Sequence, residues 1–559
     1  MNSVEMTKVS WEELDLDYEG ENKFASFFSS IGNIHTYPAK AVPEMVNDLI
    51  SKVMSIKSIK TVLDPFVGSG TTALEAKYLG LDFWGSDLNP LAILLSKTKT
   101  LTIDNTYYTK SRLNDFIEKV KKDYSSTYLV PVCDFERIHY WFKEDNIKEL
   151  EYIKLKINQF LKNTYKINRE MYALILLTAF SSTIRRVSLT RNSEFKLYRM
   201  SPNDIERFSV NALDEFSDAI TNLLNMLVVA NDSYEKRANS SIYMENAKSL
   251  HYLKSNSIDM VITSPPYGDS KTTVAYGEFS RLSIQWMGDL LQKYLDISVT
   301  DYNCDDRLLG GKKSEWDLKD EKGFYQSEAL HKLESEMNTR IQEKEKELSS
   351  ALSILKRMRQ LRDRNELISR EMLHANKMLY QLINERVRLD IYRKINHSKS
   401  GLNDRKIKKL VKVQAANYLS QLEDKNSRKY LKRQEDLGSK LEHVLKTLER
   451  NGKSIRKRKG QVIIFLKDLY KAVMETDRVL KKGGFQVWIV GHRTVMGKIV
   501  INMEGILKDW FINLGYECEA SLNRKCSFKR MPHHINSTIE RCEEVNTMMN
   551  EYILVVRKK

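Results

Sequence analysis

The chain has 559 residues, 42% of them hydrophobic and 29% charged, with a formal net charge of +16. This length allows two to four domains, and the composition excludes a disordered or fibrous chain. No run approaches the roughly 18 consecutive apolar residues of a membrane span, and the five scattered cysteines form no Cys-x-x-Cys pair, which argues against a disulfide framework or a zinc knuckle.

The first residues, about 1–30, are acidic and polar, with no apolar core of a secretory signal. Reduced thiols and a cytoplasmic protein are expected, without a membrane partner or a bound metal. Residues 60–64, KTVLD, read as a short strand that enters Gly68-Ser69-Gly70. Thr71 and Thr72 then open a helix. Glycines are required where backbone must approach a ligand closely or take positive φ. The helix N-terminus behind them presents free N–H groups. A second strand, DFWGSD, ends at Asp87, placed to accept hydrogen bonds from ribose hydroxyls. No lysine follows the glycines, and no third glycine of the dinucleotide type is present. The loop therefore suits a nucleoside ligand without phosphates, a description that S-adenosylmethionine meets.

Residues about 111–240 read as mainly helical, with IKELEYIKLKINQFL and REMYALILLTAFSSTI as amphipathic or buried helices. A polar, basic segment follows, carrying Arg185, Arg186, Arg191, Lys196 and Arg199. The apolar, β-branched run 257–264 is a further strand, and it ends in Thr263-Ser264-Pro265-Pro266-Tyr267-Gly268. Two prolines cannot continue a ladder, so they fix a rigid exposed turn. Such a turn can aim Ser264 Oγ, the Pro265 carbonyl and the Tyr267 ring at one point. Acceptors of that kind suit methylation of an aromatic amine, whose hydrogens they would hold as charge develops. Tyr267 would stack on a base flipped out of a helix. A purely structural Pro-Pro turn is the plain alternative. The segment around Tyr276, Phe279, Ser280 and Arg281 reads as a mainly structural helix.

No proline occurs between Pro266 and Pro532, which permits long helices. Leu361, Ile368, Ala375, Leu382 and Leu389 recur every seven residues, Met372 and Leu379 fill intervening positions, and Leu348, Leu352 and Leu355 extend the stripe upstream. This is coiled-coil-like periodicity. Residues 395–404 suit a turn. A second helix, with Leu437, Leu441, Val444, Leu445 and Leu448 on one face, is expected to end near Asn451-Gly452. The expectation is a protruding basic helical hairpin, equally able to serve self-association. Residues 351–460 hold 30 Lys and Arg against 12 Asp and Glu, a net of +18, which leaves the other 449 residues at −2. A polyanion partner would select such a block, although a solvated lysine-rich surface has the same composition. Near the end, 484–490 reads as another strand, and Arg524–Pro532 as a basic segment able to touch phosphates or equally to form a solvated hairpin.

Together these residues resemble the amino-methyltransferases of DNA, the cytosine-N4 and adenine-N6 class. DPFVGSGTT (64–72) resembles their motif I, Asp87 their motif II acid, and TSPPYG their motif IV. Residues 35–46 are similar to motif X, and 474–491 to the helix and strand after the catalytic loop. The resemblance implies an α/β fold, a Rossmann-like S-adenosylmethionine-dependent methyltransferase sheet with two large, mainly helical insertions. It implies Ser264, Pro265, Pro266 and Tyr267 as catalytic, and Tyr37, Pro38, Asp64, Phe66, Gly68, Gly70, Thr71, Thr72 and Asp87 as contacts of S-adenosylmethionine. Asn246 stands where the family often has an acid near the adenine. Double-stranded DNA is the implied partner, with a cognate restriction or defence protein as a candidate. The expected division is a tail (1–30), core parts at 31–110, 241–300 and 461–559, a candidate target-recognition insertion at 111–240 containing the five basic residues, and the basic hairpin at 301–460. The serine that opens the tetrapeptide favours cytosine N4. Adenine N6, an RNA amino group, or a non-catalytic DNA-binding scaffold remain open on the sequence.

Overall fold

Strictly alternating apolar residues can face two different cores when a strand is covered on both sides, because successive side chains point to opposite faces. The central strands do this. The computed structural model describes residues 11–14, 16, 34–125, 133–191, 196–233, 238–268, 274–300, 302, 304–312, 321–363, 377–398, 404–421, 430–525, 534–536, 544–546 and 550–559. Its main sheet is formed by β1 (Thr61–Asp64), β2 (Asp82–Ser86), β3 (Ser240–Tyr243), β4 (Ile258–Thr263), β5 (Leu480–Gly491), β6 (Tyr516–Lys525) and β7 (Asn550–Lys558). The strand order is β3-β2-β1-β4-β5-β7-β6. The pairs from β3 through β5 are parallel, and β7 runs antiparallel to both β5 and β6. All six residues of β4 are buried, as both-face coverage of a parallel sheet requires. Met260 and Ile262 enter one core and Val261 the other. On β5, Val487 and Ile489 face the first core while Trp488 and Val490 face the second.

The first core is covered by α1 (Pro43–Ile56), α2 (Thr71–Tyr78) and α3 (Pro90–Lys99). The insertion between β2 and β3 supplies α4 (Thr106–Lys122), α5 (Glu144–Lys162), α6 (Lys166–Val187) and α7 (Ala212–Ser233) to the same core. Helix α6 is buried almost all round from Tyr172 to Ile184 and packs against α3, α5, α7 and α8 (Tyr276–Leu295). The insertion is thus continuous with the sheet's core.

The second insertion grows from the opposite face. It comprises α9 (Glu328–Asp363), α10 (Lys377–Ser398), α11 (Asp404–Ser420) and α12 (Tyr430–Val479), followed after β5 by α13 (Met503–Asn513). Its base is apolar: Leu330, Leu333 and Met337 of α9 meet Val462, Leu466 and Leu469 of α12 in the second core. Farther out, Ile383 and Val387 of α10, Ala415 and Leu419 of α11, and Leu437, Leu441, Val444 and Leu448 of α12 form a separate small core.

Two expectations about this insertion change. The helix expected to stop near Asn451-Gly452 runs unbroken to Val479. A helical glycine costs only about 1 kcal/mol against alanine, and Gly452 sits where a Cβ would lie 3.6 Å from Leu348, so the tight pairing of α9 with α12 holds the helix through it. The heptad face also shifts. Leu352 and Leu389 are exposed, while Ile383, Val387 and the partly buried Tyr380 and Ile391 make the contact face of α10. Three partner helices, rather than one, select that face. Leu361, Leu379 and Leu382 lie in helices, and Ile368, Met372 and Ala375 fall outside the described residues.

Glu75 of α2 is fully buried, with Oε2 accepting from Asn47 Nδ2 at 2.9 Å and Oε1 without a hydrogen-bond partner. Burial pushes its carboxyl up to about 8. The folded state then binds more protons than the unfolded state between the ordinary glutamate range and pH 8, so this group lowers stability as pH rises through that window. Glu75→Gln should remove that part of the decline, raising the melting temperature of the variant relative to the unaltered chain at pH 8.5 more than at pH 5.5.

Candidate active site

β1 ends at Asp64, whose side chain is buried and organises three segments. Its Oδ1 accepts from Phe66 N at 3.0 Å and from Thr263 Oγ1 at 2.6 Å, and its Oδ2 accepts from Thr72 Oγ1 at 2.8 Å. One carboxylate therefore joins the Gly turn, the start of α2 and the end of β4. Gly68 and Gly70 take φ of +50° and +84°. At Gly70 a Cβ would fall 2.7 Å from Ser96 of α3, so that residue is fixed as glycine by both conformation and space. Gly70 heads α2 with no side-chain cap, which leaves the helix N-terminus to the cleft.

At the tip of β2, Asp87 Oδ2 accepts from Gly68 N at 3.0 Å and Oδ1 from Asn89 N at 2.8 Å. Burial pushes both Asp64 and Asp87 up to about 6, against the hydrogen bonds that favour their ionised forms. Across from them, Tyr37 is buried, and its hydroxyl accepts from Asn89 Nδ2 at 3.2 Å. Its ring lies 6.0 Å from Tyr276 and 5.9 Å from Phe279. The segment before it is fastened through His35, whose Nε2 is 3.0 Å from Ser181 Oγ of α6. Burial takes His35 down to about 4.

A cleft of about 720 Å³, its open mouth included, lies between these parts. Tyr37, Asp64, Phe66, Gly68, Thr71, Thr72 and Asp87 line it, and so do Ser264 and Pro266. The glycine turn and the twin-proline corner thus open onto one space. Ser264 and Tyr267 are half-buried and Pro265 is buried, and Ser264 Oγ lies 3.3 Å from Tyr267 Oη.

Several expected residues stand elsewhere. Pro38, Gly70 and Asn246 are not in the cleft lining. Gly70 shapes the turn from behind, and Asn246 Oδ1 accepts from Lys248 N at 3.0 Å in a local turn after β3. The five basic residues do not form one exposed strip. Arg185 is half-buried, with its guanidinium 4.1 Å from the centre of the Phe279 ring. Arg186 pairs with Glu215 at 2.8 Å, and Arg199 lies 4.1 Å over Tyr140. Arg191 is exposed and Lys196 half-buried, at either side of residues 192–195, which are not described. Arg524, from the segment read as touching phosphates or forming a solvated hairpin, binds Glu551 at 2.6 Å, and 526–532 lie outside the described residues.

Residues that sequence reading missed complete the cleft. Tyr276 and Lys40 line it, and Lys40 is its one basic side chain among the described residues. Asn89 links Tyr37 to Ser280 of α8, donating to Ser280 Oγ at 2.8 Å. The Asn-Pro after Asp87 marks an N-cap in the sequence, and Asn89 does cap α3. Nothing in the sequence pointed to its second role.

A family model described as DNA methylase matches residues 5–98. The type II methyltransferase M.MvaI of Kocuria varians is 37% identical over 298 residues, covering 50% of this chain and 61% of that protein. Over these residues the chain is similar to DNA methyltransferases. The type II methyltransferase M.BsoBI of Geobacillus stearothermophilus is 23% identical over 265 residues, 43% of this chain and 49% of that protein. The chain thus matches between about half and three-fifths of the length of these relatives. A solved rRNA methyltransferase, aviRa from Streptomyces viridochromogenes, shares 12% identity over 47% of this chain and 78% of its own, at a TM-score of 0.20, a superposition too loose to argue from. Among the described residues no helix is long and apolar enough to cross a membrane, and no group of His, Cys, Asp or Glu is arranged to hold a metal ion.

Gly70→Ala should destabilise the fold, because the added Cβ meets Ser96 and the positive φ strains it together. A loss of about 1–3 kcal/mol is expected, read as a lower denaturation midpoint in urea. Gly68→Ala, whose Cβ would meet only atoms at 3.8 Å, should lose less.

Proposed function

We propose that this chain transfers a methyl group from S-adenosylmethionine to an exocyclic amino nitrogen of a base in double-stranded DNA, with cytosine N4 as the target. The observation that carries this reading is the shared cleft, in which Gly68 and Asp87 face Ser264 and Pro266. The lining fits the donor. Two carboxylates, the buried Asp64 and the half-buried Asp87, would repel phosphates, whereas Asp87 beside the Gly68 backbone suits ribose hydroxyls. Lys40 and the uncapped start of α2 suit a carboxylate. Tyr37, Phe66 and Tyr276 supply apolar walls.

When bound there, S-adenosylmethionine supplies an electrophilic methyl carbon and a sulfur leaving group. Ser264 Oγ and the Pro265 carbonyl hold the hydrogens of the target amine, which frees its lone pair from the ring. With the donor held there, the amine would take the methyl carbon as the carbon–sulfur bond gives its electrons to sulfur, and the surplus proton would pass to solvent. Tyr267 stacks on the extruded base. Preference for cytosine rests on the serine that opens the tetrapeptide, a family resemblance. The type II methyltransferases named above support DNA as the substrate, and a restriction partner belongs with that reading.

The basic insertion would hold phosphates, which set affinity and salt dependence rather than base choice. Lys356 of α9, Arg388 of α10, Lys412 of α11, and Lys446 and Arg450 of α12 are exposed.

Three outcomes test the reading. Incubation with unmethylated DNA and labelled S-adenosylmethionine, followed by nucleoside mass spectrometry, should yield N4-methylcytosine. N6-methyladenine would move the target, and label entering structured RNA but not DNA would overturn the substrate class. S-adenosylhomocysteine should bind by calorimetry and be lost in Asp87→Ala. Because Asp64 and Asp87 protonate below about pH 6, its affinity should be level above that point and fall below it, by up to about tenfold per pH unit for each proton taken up. Replacing 349–451 by a short turn, at the point where Leu348 meets Gly452, removes 25 Lys and Arg against 12 Asp and Glu. DNA affinity should drop and its dependence on salt flatten, with S-adenosylhomocysteine binding retained. An unchanged salt slope would refute the phosphate-holding role.

A further inference from the structure

The turn that carries Ser264 is tied to the far side of the sheet. Tyr267 Oη donates to Glu551 Oε1 of β7 at 3.3 Å. Glu551 Oε2 in turn accepts from Arg524 of β6, at 3.0 Å from Nε and 2.6 Å from Nη2. This ion pair is buried, with side-chain exposures of 12% for Arg524 and 10% for Glu551. A carboxylate gripped by a guanidinium in a dry setting stays ionised, and an ionised carboxylate only accepts.

The direction of each bond follows. A tyrosine hydroxyl has a single proton, and here that proton points to Glu551. The Tyr267 oxygen can then only accept in its contact with Ser264, 3.3 Å away. The Ser264 hydroxyl must therefore supply the proton of that contact. Its remaining lone pairs are left to face the cleft that Ser264 lines. Serine is by itself ambivalent, able to donate or accept, where a carboxylate or a carboxamide oxygen at the same point would only accept. The amine to be methylated offers hydrogens and needs an acceptor.

We propose that Glu551, fixed by Arg524, is a positioning residue that acts through the Tyr267 hydroxyl to make Ser264 a one-way acceptor for the target amino group. The inference rests on the methyltransferase reading above. Both oxygen–oxygen distances, 3.3 Å, exceed the usual O–H···O range, and this role of Glu551 requires them to shorten when a base fills the cleft, as catalytic hydrogen bonds do on substrate binding. Both Glu551 oxygens already accept, Oε1 from Tyr267 and Oε2 from Arg524, so its part is orientation and not storage of the proton released.

Glu551→Gln tests this with little change of shape. Arg524 can bind only the oxygen of the new carboxamide, which turns its NH₂ toward Tyr267. The bond then reverses: Tyr267 accepts, its proton turns to Ser264, and the Ser264 proton is aimed at the amine. The turnover number on unmethylated DNA at saturating S-adenosylmethionine, measured well below the variant's own melting transition, should fall by roughly 10- to 100-fold, with affinity for S-adenosylhomocysteine retained and the melting temperature lowered because Arg524 keeps a buried charge without its carboxylate. Tyr267→Phe removes the intermediary, so Tyr267→Phe and the double variant with Glu551→Gln should turn over at the same rate. Full turnover by Glu551→Gln, or losses that multiply in the double variant, would overturn the inference while leaving the enzyme assignment standing. No methyl transfer and no S-adenosylhomocysteine binding by the unaltered chain would overturn the assignment, and this inference with it.

Discussion

One buried carboxylate holds the site together. Asp64 ends β1, and its two oxygens receive Phe66 N, Thr72 Oγ1 and Thr263 Oγ1. Those donors belong to the Gly turn, to the first turn of α2 and to the last residue of β4. Without a common acceptor they would be three independent loop ends above the sheet. With it, the corner that begins at Ser264 is locked to the turn that Gly68 and Gly70 shape. Burial raises the cost of ionising Asp64, and its three hydrogen bonds are what offset that cost.

A second layer of constraint acts through Asn89. It caps α3 with its side-chain oxygen, accepting from Leu91 N at 3.1 Å, while its nitrogen reaches Tyr37 and Ser280. The helix after the Ser-Pro-Pro corner and the segment around Tyr37 are far from the Gly turn in sequence, yet both are referenced to the tip of β2. Helix α6, buried nearly all round, backs the same wall and binds His35 through Ser181. The first insertion therefore supports the cleft as well as extending it, which explains why Arg185 is spent on Phe279.

The two insertions leave opposite faces of the sheet, because the residues of β4, β5 and β7 divide alternately between two cores. The first thickens the wall around the cleft. The second is anchored by α12, a 50-residue helix whose last turns lie in the second core and whose outer part, 430–460, carries 10 Lys and Arg against 4 Asp and Glu. A rigid rod fused directly to β5 carries charge away from the sheet without a flexible joint, and this is the mechanical basis for its proposed grip on phosphates.

Much of the site was legible in the sequence, for a local reason. Strand, Gly turn and helix over 61–78, the acid at the end of β2 and the Ser-Pro-Pro corner are each fixed by residues within a few positions of one another, through φ preferences, missing donors and strand alternation. The buried face of α12 from Leu437 to Leu448 was legible for the same reason, since its period is set along one helix. What the sequence could not carry depends on partners far away in the chain. The contact face of α10 was decided by three neighbouring helices, and the passage of α12 through Gly452 by its pairing with Leu348. The fate of each arginine was decided likewise, because a guanidinium looks the same in sequence whether it meets Phe279, Glu215, Glu551 or solvent. Local chemistry determined that a cleft with these corners would form; only the packed structure decided which charges face it, because pairing and burial are properties of distance in space.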